Sequence, residues 1–184
     1  MRALLAFLLL AGAAQAEEPA PIPAFGPCLD AEIARFERDL SRARSERYAG
    51  LAHFVDGRGV DVCGVGGIIL CDRSDAPQPC QHALTEEQED LRGAVLESLP
   101  APEGPGLYKA VHALAKGRSA GDDCAGMTPV MAAWCAAREA TRRVELAVLA
   151  YQIARRNGAV EPAFALGWAE PPAPVRPRMR GAGQ

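Results

Sequence analysis

Val60-Asp61-Val62-Cys63-Gly64-Val65-Gly66-Gly67-Ile68-Ile69-Leu70-Cys71 is the run that separates an all-helical reading of this chain from a mixed one. β-Branched residues stand on both sides of a Gly-Gly pair, and Gly-Gly tolerates the positive φ angles of a hairpin turn. The run therefore predicts a short two-stranded β-hairpin. A lone ribbon of two strands is marginal in water. Cys63 and Cys71 fall nearly opposite one another about the turn, so a bridge between them is expected to hold it. Gly64-Val65-Gly66-Gly67 is too short for a phosphate cradle and precedes no expected helix, which leaves a turn as its role.

Outward from this run, both flanks read as helix. On the N-terminal side Leu29, Ile33, Phe36, Leu40 and Ala43 recur at spacings of four and three, while Glu32, Arg35, Arg38, Asp39 and Arg42 occupy the other faces. The stripe shifts phase near Arg47 and resumes with Tyr48, Leu51 and Phe54 or Val55, with a pause expected at Gly50 and an end at Gly57. On the C-terminal side a proline-marked loop, Asp75 to Cys80, leads to Thr85-Glu86-Glu87-Gln88, which has the order of a capping box and opens a helix to about Leu99. Pro100, Pro102 and Pro105 impose a loop. A short helix with Leu107, Val111 and Leu114 on one side then ends at Gly117.

Thr128-Pro129 opens the longest helix, with threonine at the cap and proline at the first helical position. Its stripe is Val130, Trp134, Ala137, Thr141, Val144, Val148 and Tyr151, and Ala133, Ala140 and Ala147 line a neighbouring strip narrow enough for close packing. Asn157-Gly158 supplies a left-handed C-cap. The expected fold is mainly α: a small bundle of about four helices with one short β-hairpin, stapled by disulfides, over residues 28–160.

The termini read differently. Arg2 and the apolar run Ala3 to Ala14, followed by Ala14-Gln15-Ala16, form a secretory signal over residues 1–16 with a cleaved chain beginning at Glu17. The run is shorter than the ~20 apolar residues that a spanning helix requires, so no transmembrane span is expected after cleavage. Residues 17–27 carry Pro19, Pro21, Pro23 and Pro27 and read as an extended linker without helix. Residues 161–184 lose periodicity and end in a Pro/Arg-rich tail that is expected to be disordered.

Without residues 1–16 the chain holds 19 basic against 23 acidic side chains, which excludes a dominant nucleic-acid footprint. Lysine is scarce beside arginine, alanine is abundant, and the signal is simple; together these favour a bacterial periplasm over a eukaryotic lumen as the expected compartment. Aromatics are 5% of the chain and alanine supplies much of its 49% hydrophobic content, so the core is thin and disulfides are an expected compensation. The six cysteines, Cys28, Cys63, Cys71, Cys80, Cys124 and Cys135, are an even set and predict three bridges. With Cys63 joined to Cys71, Cys28 is expected to reach Cys124 or Cys135.

No catalytic, cofactor-binding or metal-ligating residue is assigned. There is no C-x-x-C for thiol exchange and no C-x-x-C-H for covalent haem. His53, His82 and His112 fall outside H-E-x-x-H, and no serine sits in G-x-S-x-G. Cys80-Gln81-His82 with Asp72 and Asp75 outlines a soft-metal alternative that requires free thiols at Cys71 or Cys80. Asp122-Asp123-Cys124 offers too few oxygens for a calcium loop. The expected function is that of an exported binding protein meeting another protein or an envelope component, with Arg176, Arg178 and Arg180 of the tail as a contact. The alternatives are a periplasmic enzyme with a cleft beside the histidines and a metal carrier centred on His82.

Overall fold

α5 (Pro129–Arg156) is the axis of the molecule, about 42 Å of uninterrupted helix. The computed structural model describes residues 21–22, 24–45, 55–117 and 124–171. Among them α1 (Phe25–Arg44), α2 (Arg58–Asp72), α3 (Pro77–Glu97) and α4 (Leu107–Ala115) precede α5. α2, α3 and α4 pack directly on α5, and α1 packs on α2. The expected ends of α5 hold: Thr128 precedes its first turn with Pro129 at the start, and Gly158 closes it at φ +75°. Ala133, Ala137, Ala140 and Ala147 are fully buried, so the small-residue strip is where the neighbouring helices approach. Val130 and Trp134, expected in the core stripe, are instead exposed at 58% and 40%.

The hairpin expected at 60–71 is a helix. Val60, Cys63, Gly64, Gly67, Ile68 and Cys71 are buried, and these positions recur at helical intervals once glycine is counted as a packing residue. Neither Gly64, Gly66 nor Gly67 takes a positive φ. Their use is steric: a β-carbon at Gly64 would meet Thr141 of α5, and one at Gly67 would lie 3.1 Å from the Leu84 methyls of α3. Among the described residues the bundle therefore has five helices and no strand.

The bridges differ from the expected pairing as well. Cys28 joins Cys63, Cys71 joins Cys80, and Cys124 joins Cys135. A helical α2 places Cys63 and Cys71 two turns apart, out of each other's reach, and turns both toward the flanking helices. α1 and α3 meet them with the same local design. In Ala24-Phe25-Gly26-Pro27-Cys28 and Ala76-Pro77-Gln78-Pro79-Cys80 the cysteine N–H makes the first bond of the helix, at 3.1 Å, to the carbonyl of the capping alanine. Proline just before it costs nothing, because a first-turn N–H has no intrahelical acceptor. α1 accordingly starts inside the stretch expected as a helix-free linker, and α3 starts eight residues before the expected capping box. Thr85 is mid-helix, its hydroxyl donating to the Gln81 carbonyl at 2.8 Å.

Part of the expected disordered tail lies on the bundle. The Ala163 N–H donates to the Tyr151 hydroxyl at 2.8 Å, and that hydroxyl donates to Glu37 of α1. Arg155 donates Nε to both Glu37 oxygens, at 3.1 and 3.2 Å. Trp168 is buried edge-on against Tyr151 with ring centroids 4.7 Å apart, and the Glu170 N–H reaches Asp30 at 3.0 Å. Ala163 and Trp168 are buried in the core, and Val160, Leu166 and Ala169 pack against it, which docks a segment that has no periodicity. The expected signal at 1–16, residues 17–20 and 23 of the linker, the helix continuation through Tyr48 and Leu51, and residues 172–184 lie outside the described residues. No described helix is long and apolar enough to cross a membrane.

Candidate functional site

α2 is apolar on two faces. Opposite its buried stripe, Val62, Val65 and Ile69 follow one another at spacings of three and four; Val62 is exposed to 67%, and Val65 and Ile69 are half-buried. Pro21 and Ile22 run alongside, and Gly66 lets Ile22 in: its Cγ2 lies 3.1 Å from where a β-carbon of residue 66 would be. Between them is a groove of about 640 Å³ floored by the Cys28–Cys63 bridge. Its charged edge is Asp61, held by Arg138 at 2.6 Å. Glu145, on α5 close to this pair, has its carboxyl pushed up by burial and then by the Asp61 charge.

Such a surface binds by burial. Fully burying an exposed valine contributes roughly 1.5–3 kcal/mol, so Val62 offers the largest share to an apolar partner and the half-buried Val65 and Ile69 add less. The groove's one ionisable lining group, the Asp61 carboxylate, is paired with Arg138. A smaller cleft of about 230 Å³ between α1 and α2 is lined by Glu32, Arg35, Asp39, Asp56 and Gln152, but its polar groups are already partnered, Asp39 by Arg42 at 3.3 Å. Arg35 pairs with Glu32, the Asp56 N–H donates to Gln152 at 2.9 Å, and the Asp56 carboxylate caps the Arg58 N–H.

The residues singled out from the sequence do not converge. All six cysteines are in bridges, so the thiols that the metal alternative requires at Cys71 and Cys80 are joined to each other. Asp72 accepts from Gln81 at 2.6 Å, and His82 stands exposed on α3. Among the described residues no group of three or more His, Cys, Asp or Glu side chains is placed to hold a metal. His112 is buried on α4 with its ring tilted against Tyr108, its pKa pushed down by burial and then by Lys116. His53, Asp122, Asp123, Arg176, Arg178 and Arg180 lie outside the described residues.

Sequence reasoning missed Val62, Val65 and Ile69 as a surface, and their helical spacing was the available signal. A second uncharged face, Met127, Val130, Met131 and Trp134, opens on the first turns of α5 beside the Cys124–Cys135 bridge. Comparison with protein-family models, curated proteins and solved structures finds no match to this chain.

Proposed function

We propose that this protein is an exported, periplasmic binding module whose α2 groove receives an apolar segment of another envelope protein. The observation that carries the reading is the solvent-facing stripe Val62, Val65 and Ile69 on a helix whose other face is already core. A helix pinned at both ends by bridges to its neighbours presents that stripe preorganised, which reduces the ordering cost of association. Three disulfides accord with an oxidising compartment, and Arg176, Arg178 and Arg180 add an electrostatic contact with anionic envelope surface.

A benzophenone amino acid placed at residue 62 or 69 in the native bacterium tests the groove, with the exposed Arg42 position on α1 as control. The expected result is one covalent adduct of defined mass from 62 and 69, absent from 42. Adducts at all three positions, or at none, would sink the reading. Intact mass of the periplasmic fraction tests export: a chain starting at Glu17 that resists alkylation before reduction is expected, and retention in the cytoplasm would overturn it.

A further inference from the structure

Among the described residues two sulfur atoms stand outside the bridges, the thioethers of Met127 and Met131. Met127 is exposed to 46% and Met131 to 50%. The core is thin enough to draw in Ala163 and Trp168 from the C-terminal segment, yet these two long apolar side chains are left out of it. Met131 shares one side of the first turns of α5 with the exposed Val130 and Trp134. Met127 is fixed just ahead of that side. Its N–H donates to the Cys124 carbonyl at 3.4 Å, and Cys124 is bridged to Cys135 of α5.

Oxidation of sulfur follows access to it, and a sulfoxide is polar where the thioether was apolar. We propose that Met127 and Met131 are a paired modification site, at which a hydroperoxide-class oxidant forms two sulfoxides while the bundle stays folded. The face shared with Val130 and Trp134 thereby turns from apolar to polar. At each residue a sulfur lone pair attacks the terminal peroxide oxygen, an S–O bond forms and the O–O bond breaks. The proton passes to the departing alkoxide or hydroxide, which leaves as alcohol or water. Sulfur is oxidised by two electrons and the peroxide is reduced by two. The α2 groove is lined by no methionine, so one oxidant alters one apolar surface of the molecule and spares the other.

The test treats the full chain, bridges intact, with hydrogen peroxide and locates sulfoxides by peptide mass spectrometry, which reads residues 127 and 131 apart from Met179. Exposure near one half predicts rates within about threefold of those in urea at both residues. A folded-state rate more than about tenfold slower at either residue would overturn the proposal. Retention on a phenyl matrix should fall after treatment, with Tm by calorimetry unchanged. Met127→Leu combined with Met131→Leu keeps the face apolar and removes both thioethers, so its retention should withstand peroxide. Unchanged retention of the oxidised parent, an equal fall in the double variant, or a lowered Tm on oxidation would each sink the assignment.

Discussion

Gly64 and Thr141 touch where α2 crosses α5, so closely that any β-carbon on residue 64 would overlap the Thr141 methyl and hydroxyl. Thr141 cannot yield easily. Its hydroxyl donates to the Ala137 carbonyl at 2.9 Å and accepts from Gln88 at 3.0 Å inside the core. Gly64→Ala should destabilise the protein by about 2–3 kcal/mol in urea unfolding. Gly64→Ala with Thr141→Ala should cost less than the sum of the two single changes, because the second removes the atoms that obstruct the first. An additive double mutant would place the crossing elsewhere.

The three bridges should contribute unequally. Chain-entropy reasoning assigns about 3.8 kcal/mol to Cys28–Cys63, which closes 35 residues, against about 2.6 and 2.8 kcal/mol for loops of 9 and 11. Paired replacement of Cys28 and Cys63 by alanine should give the largest fall in Tm by calorimetry. A larger fall on replacing Cys124 and Cys135 would contradict that order.

Tyr151 is completely buried, and its hydroxyl serves both Glu37 and Ala163. Tyr151→Phe keeps the ring but strands a buried N–H, costing about 1–3 kcal/mol. It should also loosen the docked segment, read as a red shift of Trp168 emission. Burial and the Glu37 carboxylate hold this phenol far above its ordinary range. In an alkaline titration it should ionise only as the protein unfolds.

His112 links stability to pH. Its folded pKa lies below 6.5, so as pH falls the unfolded chain takes up the proton first. The contribution of the neutral ring is complete above pH 6.5 and is lost as pH drops through 6.5 toward the folded pKa. Urea midpoints between pH 7.5 and 5.5 should decline for the parent protein and decline less for His112→Gln. Equal slopes would assign the loss to other groups.

Much of the helical architecture is legible in the sequence because periodicity and caps are local. α5 shows this best, from Thr128-Pro129 through the alanine strip to Asn157-Gly158. The failures have one physical source each. Glycine in 60–71 signals a turn to any rule based on backbone freedom, whereas here it removes β-carbons where helices cross. Pro27 and Pro79 signal helix exclusion but sit in first turns, which tolerate them. Val62, Val65 and Ile69 become a surface only after α2 is recognised as a helix. The docked C-terminal segment is further from reach, since Asp30 and Glu170 are brought together across 140 residues by a stretch without periodicity.

Each bridge unites a cysteine with the next one along the chain, first with second, third with fourth, fifth with sixth. A polypeptide delivered amino terminus first into an oxidising space would therefore meet its partners in the order in which it requires them. Every pair can close before the following cysteine emerges, so oxidation in order of appearance yields the native set without later reshuffling.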